Sequence, residues 1–123
     1  MTEIQALLLI KSILESADIH GIEHILSEDC EYMSTGRGII GRNRNETIEF
    51  LSSMAESIKA DNVPVTCKVM HITDVYEEDA LFHEGRHGLT VSYESGDNYV
   101  YMIFVDVNDE GLVDRIVSSQ ENY

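Results

Sequence analysis

Basic side chains are scarce in this sequence: 8 Lys and Arg stand against 23 Asp and Glu, for a formal net charge of -15. So negative a surface repels phosphate backbones and anionic lipid, which argues against nucleic acid and membrane partners. Long hydrophobic runs are missing too. The hydrophobic share of 43% is ordinary for a globular protein, yet no stretch approaches the roughly 18 apolar residues that would span a bilayer. Cysteine is limited to Cys30 and Cys67. One possible bridge is no disulfide framework, so two reduced core thiols are expected. The first residues carry acidic Glu3 where a signal peptide would be basic, and no small-residue cleavage site follows. Cytoplasmic residence is the expectation.

What is present is one domain's worth of patterned chain, 123 residues, enough to bury about two thirds of its unfolded surface around one core. From Ile4 to Ala17, Ile4, Leu7, Leu8, Ile10, Ile13 and Leu14 recur at helical spacing. Asp18 can cap a short second helix in which Ile19, Ile22, Ile25 and Leu26 repeat, and 30–34 reads as a short strand. The Gly-rich stretch 35–45 reads as a loop. Asn43 or Asn45 can cap a third helix, with Glu46 and Glu49 at its positive end and Ile48, Leu51, Met54, Ala55 and Ile58 as its buried stripe.

After Pro64, the only proline, β-branched and aromatic residues dominate in runs at 65–75, 80–94, 98–107 and 112–119. Ser95 to Asn98 and Asn108 to Gly111 read as hairpin turns. Three helices followed by an antiparallel meander predict an α+β domain.

Two familiar strings are misplaced. His83-Glu84-Gly85-Arg86-His87 matches the zincin pattern, in which two histidines one helical turn apart hold zinc. Here it lies in a strand-like run, where the two α-carbons stand ~13 Å apart, too far for one ion. No metal is expected. Gly36-Arg37-Gly38-Ile39-Ile40-Gly41 matches a dinucleotide fingerprint, but the strand before it carries Glu31, the helix caps come only after Gly41, and Asp61 ends a helix instead of a strand. It reads as a flexible loop.

With this element order, the chain resembles the nuclear-transport-factor-2-like superfamily, the cone fold of ketosteroid isomerases, scytalone dehydratase and SnoaL-type cyclases. The resemblance spans nearly the whole chain. It rests on Ala17-Asp18-Ile19-His20-Gly21-Ile22, Ser27-Glu28-Asp29-Cys30, Gly41 with Ile48-Glu49-Phe50-Leu51, and Asp109-Glu110-Gly111-Leu112-Val113. It implies a cone-shaped, curved antiparallel sheet with three N-terminal helices on its concave face, a pocket inside the cone, homodimerisation through the outer sheet face, and no obligatory cofactor. The isomerases' catalytic set does not carry over. Their proton-shuttling aspartate falls at Ser34, their helix tyrosine at Ile10 and their oxyanion-holding aspartate at Ile103. Serine cannot shuttle a proton as a carboxylate does, nor isoleucine donate to an oxyanion. By the same alignment Tyr32, Ser34, Ser118 and Gln120 line the pocket.

A two-residue hairpin loop at Ser95 to Asn98 would set His87 opposite Asp106, Leu89 opposite Phe104 and Val91 opposite Met102. The neighbouring face carries Thr90, Ser92, Glu94 and Tyr101. Leu89, Val91, Met102 and Phe104 are therefore expected inside the cone, with His87 and Asp106 as a dyad in which the carboxylate orients the imidazole as general base. A cross-strand ion pair or a dimer-face residue is the other reading of His87. The isomerase alignment turns Ile103 inward and requires the opposite parity. The Arg37, Arg42 and Arg44 loop either attracts an anion or neutralises nearby acids. Two functions follow: a small-ligand pocket protein, with a cofactor-free isomerase, cyclase or dehydratase acting on an apolar carbonyl compound as its catalytic form, or a non-catalytic binding and assembly module.

Overall fold

A computed structural model describes residues 2–16, 18–61, 65–71, 87–93 and 99–122, with the backbone alone at 61, 93, 99–101 and 120–122. The first helix, α1 (Glu3–Ser16), starts with a reciprocal capping box. Thr2 N–H donates to Gln5 Oε1 at 2.9 Å and Gln5 N–H to Thr2 Oγ1 at 3.2 Å, satisfying donors that the first helical turn leaves open. Ala6, Leu7, Ile10 and Leu14 form its buried stripe. The expected second helix shrinks to one 3-10 turn, Ile22–His24. Gly21 stands before it in the left-handed region at φ 85, and Asp18 Oδ1 accepts the His20 N–H at 2.9 Å in a local turn instead of capping a helix. Two helices, not three, therefore pack on the sheet.

Strand β1 (Leu26–Ser34) begins well before Cys30, and the Gly-rich stretch forms a strand of its own, β2 (Gly38–Gly41), hairpinned onto β1. The second helix, α2 (Arg44–Asp61), follows at once. Asn43 caps it: Asn43 Oδ1 accepts the Glu46 N–H at 2.9 Å, and Asn43 Nδ2 donates to Glu46 Oε2 at 3.2 Å. A β-carbon on Gly41 would lie 2.8 Å from Thr47 Oγ1 and 3.1 Å from Thr47 Cα. Only glycine lets α2 start so close to β2.

Strands β3 (Val65–His71), β4 (His87–Tyr93), β5 (Tyr99–Val107) and β6 (Val113–Asn122) complete a six-stranded sheet in the order β2-β1-β6-β5-β4-β3. The expected Asn108 to Gly111 turn joins β5 to β6, with Asn108 Oδ1 accepting the Glu110 and Leu112 N–H groups and Gly111 at φ 79. The Ser95 to Asn98 turn lies outside the described residues. The sheet is curved and mixed, not purely antiparallel, because β1 runs parallel to β6. The chain reaches β6 from β1 only after the whole meander, and closing the sheet there brings Tyr32 beside Ile116 and Ser34 beside Ser118.

Both helices cover one face. α1 packs over β3, β4 and β5, and α2 over β1, β2 and the 3-10 turn. The core lies between helices and sheet and contains Leu7, Ile10, Leu14, Tyr32, Leu51, Leu89, Val91, Ile103, Val105 and Ile116. Among the described residues, no helix is long and apolar enough to cross a membrane.

Candidate functional site

The β4–β5 register decides which side chains enter the cone. Leu89 pairs with Ile103, Thr90 with Met102 and Val91 with Tyr101. This is one residue away from the two-residue-loop expectation, and a one-residue slip turns every side chain to the other face. Leu89, Val91, Ile103 and Val105 face the helices, none more than 1% exposed. Met102, Phe104 and Asp106 alternate with them and face outward.

The expected dyad is therefore not assembled. His87 shares the inward face of Leu89 and Val91, whereas exposed Asp106 stands on the outer face directly opposite Arg115. Asp106 helps line a depression of about 430 Å³ with Asp29, Glu31, Asp114 and Arg115. Met102 and Phe104, expected as ligand contacts, are corrected with it. Met33 and Met70 also face outward and do not fill the cone, since Met33 follows inward Tyr32 and Met70 follows inward Val69.

Of the other expected pocket residues, Leu89 and Val91 are core side chains under α1, wholly buried. Tyr32 faces inward at 1% exposure, and its ring packs against Phe50 of α2 with centroids 4.6 Å apart. Ser34 and Ser118 are neighbours across the parallel β1–β6 ladder, both half-buried. Gln120 follows Ser118 by two along β6, opposite Tyr101. Ser118 also pairs with Ile103 on its other side, so the sheet carries the inward row Ser34, Ser118, Ile103, Leu89, Val69.

Strand β6 lies between the strands that α1 covers and those that α2 covers. Two hydroxyls thus sit side by side on an apolar wall, at the strip between the helix footprints. The arrangement suits a hydrogen bond to one carbonyl or hydroxyl group of an otherwise apolar molecule. Two of the three positions aligned with the isomerases' catalytic residues, Ser34 and Ile103, flank Ser118 in this row, and Ile10 belongs to the same core. The parity that the alignment required is the one observed.

The inward cysteines carry no acid–base chemistry. Burial, reinforced by the charges of Asp114 and Glu31, pushes the Cys30 thiol up to about 12. Cys67 is pushed to about 11 by burial and by Glu15, with Lys11 opposing. His71, which had no assigned partner in the sequence, pairs with His87 across β3–β4, ring centroids 5.0 Å apart. That contact was unreadable because it depends on the β3–β4 register. His20 and His24 are exposed, His24 lying 3.5 Å from Glu23. Arg37 and Arg42 are exposed on and beside the β1–β2 hairpin.

No protein-family model matches the chain, and no curated protein matches it in sequence. Solved structures do match in fold. An NTF2-like protein of unknown function from Mesorhizobium loti is 13% identical with a TM-score of 0.68, covering 98% of this chain and 91% of that one. A steroid delta-isomerase from Pseudomonas aeruginosa is 12% identical with a TM-score of 0.66, covering 97% and 79%. An LEH-like epoxide hydrolase of M. tuberculosis is 18% identical with a TM-score of 0.62, covering 97% and 82%.

Proposed function

We propose that this chain, which has the nuclear-transport-factor-2-like fold, is a small-ligand pocket protein of SnoaL-like type. The observation that carries the reading is the Ser34–Ser118 pair on the inward face, where β1 meets β6 between the main contacts of the two helices. The ligand is small, largely apolar and uncharged, with a carbonyl or hydroxyl group for the two serines. A net charge of -15 disfavours an anion. Tyr32 with Phe50 forms the aromatic side of the strip.

In its catalytic form the protein is a cofactor-free isomerase, cyclase or dehydratase. The described inward face offers His87 as general base in place of a carboxylate. His87 lies two strands across and two residues along from Ser118, roughly 12 Å away, so a substrate spanning both has at least the size of two fused rings. A steroid delta-isomerase and an LEH-like epoxide hydrolase are among the structural neighbours, which supports a catalytic form by analogy of fold.

A second reading, an assembly module, is favoured by one observation: Met33, Val117, Phe104 and Met70 form an apolar band on the outer face. A homodimer through that face is compatible with either function, and light scattering of the purified protein measures it.

The test is a thermal-shift panel of neutral ketones, from cyclohexanone through decalone to a steroid enone, against the wild type and Ser118→Phe. Stabilisation of the wild type that the variant loses supports the pocket. Equal stabilisation of both, or none of the wild type, contradicts it.

A further inference from the structure

We propose that His71 and His87 form a binding site for a borderline first-row transition-metal dication, such as Zn²⁺, Ni²⁺ or Cu²⁺. The two residues are directly opposite one another in the antiparallel β3–β4 ladder, so their side chains leave the sheet on the same face. Their ring centroids are 5.0 Å apart with the ring planes inclined by 45°. Two imidazoles bound to one tetrahedral ion at about 2.0 Å per metal–nitrogen bond hold their centroids about 5 Å apart. The pair thus already has the centroid spacing that one shared ion requires, and rotation about the side-chain torsions is what aims a nitrogen lone pair of each ring at it.

Access is open, since His71 is exposed and His87 half-buried. Among the described residues no group of three or more potential ligands exists, so the described part of the site is the histidine pair alone. An all-imidazole pair selects by softness and by the Irving–Williams order: Cu²⁺ binds tightest, Ni²⁺ and Zn²⁺ follow, and hard Mg²⁺ and Ca²⁺ are refused. His87 is the second histidine of the zincin-like string. The β3–β4 register places it across from His71. Binding ties β3 to β4 and occupies an imidazole lone pair. The site stands whether or not the strip over β6 binds a ketone.

The experiment is calorimetric titration of Ni²⁺ and Zn²⁺ into the untagged full chain at about pH 7.5. One ion binds per chain, Mg²⁺ gives no heat, and His71→Gln and His87→Gln each weaken binding at least about tenfold. A double His20→Gln, His24→Gln variant binds as the wild type does. Circular dichroism establishes that each variant is folded. In the unmodified protein, substoichiometric Cu²⁺ broadens the imidazole proton resonances of His71 and His87 before those of His20 and His24. Unchanged affinity in a folded His71→Gln or His87→Gln variant overturns the assignment, as does copper broadening centred on His20 and His24.

Discussion

The ring of Phe104 lies so close over Gly88 that a β-carbon there would fall 2.8 Å from Phe104 Cε1 and 3.3 Å from Cζ. The contact is a consequence of register: one step beyond the Leu89–Ile103 pair, residue 88 faces 104 on the outer side of the sheet. It also explains a glycine inside a strand, where glycine normally weakens pairing. Gly88→Ala forces the Phe104 ring aside and destabilises the fold by about 1–3 kcal/mol in denaturant unfolding. A neutral or stabilising substitution would show that the two residues do not meet.

Two buried hydroxyls separate a satisfied group from an unsatisfied one. Thr47, fully buried, donates to the Cys30 carbonyl at 3.0 Å, whereas Ser27 Oγ is buried with no hydrogen-bond partner among the described residues. Thr47→Val strands that carbonyl and costs about 1–2 kcal/mol, while Ser27→Ala is neutral or stabilises by up to ~1 kcal/mol. Equilibrium unfolding of the two variants checks the ordering, and a larger loss at Ser27 reverses it.

The buried thiols set a pH dependence. Cys30 at about 12 and Cys67 at about 11 both lie above the ordinary value of 9.0, so folding favours the protonated form. Their contribution to stability is complete below the unfolded pKa and is lost as pH rises from about 9 towards the folded values, because the unfolded chain then releases protons that the native chain keeps. At about pH 8 neither thiol reacts quickly with a thiol-specific disulfide reagent until the protein is denatured. Rapid labelling of the native protein would contradict this.

The outward position of Asp106 predicts that Asp106→Asn leaves ketone affinity and any turnover unchanged, whereas Ser118→Ala weakens ketone binding by about 0.5–1.5 kcal/mol, the worth of one hydrogen bond. Binding isotherms of both variants decide it. A loss confined to Asp106→Asn would restore the dyad that the register dissolves.

Local chemistry was legible where it decided structure on its own. The Asn43 cap of α2, the Asn108 to Gly111 turn and the buried Leu7, Ile10 and Leu14 of α1 are all written within a few residues, although Ile4 and Leu8, expected in the same stripe, are exposed. Ile19, Ile22, Ile25 and Leu26 misled because their spacing suits a helix while Gly21 adopts φ 85 and stops one forming. The four residues of β2 were too short and too Gly-rich to read as a strand. The largest error came from a single loop. A two-residue connection put Phe104 and Asp106 inside, but β4 ends at Tyr93 and β5 begins at Tyr99, which shifts the pairing by one residue and turns Ile103 inward. Parity of this kind is a property of the whole hairpin, and alternating apolar residues on both faces of β5 left the sequence unable to fix it. Likewise the Ser34–Ser118 pair depends on the parallel β1–β6 closure, which no local signal announces.

The most direct measurement of the central claim is a set of intermolecular nuclear Overhauser effects between decalone and methyl-labelled protein. The proposed pocket over β6 predicts contacts from the ketone to the methyl groups of Ile103 and Ile116 on the inward face of the sheet and of Ile10 on the buried stripe of α1. Contacts to Met33, Met70 or Met102 on the outer face, or no contacts from any ketone of the panel, would contradict it.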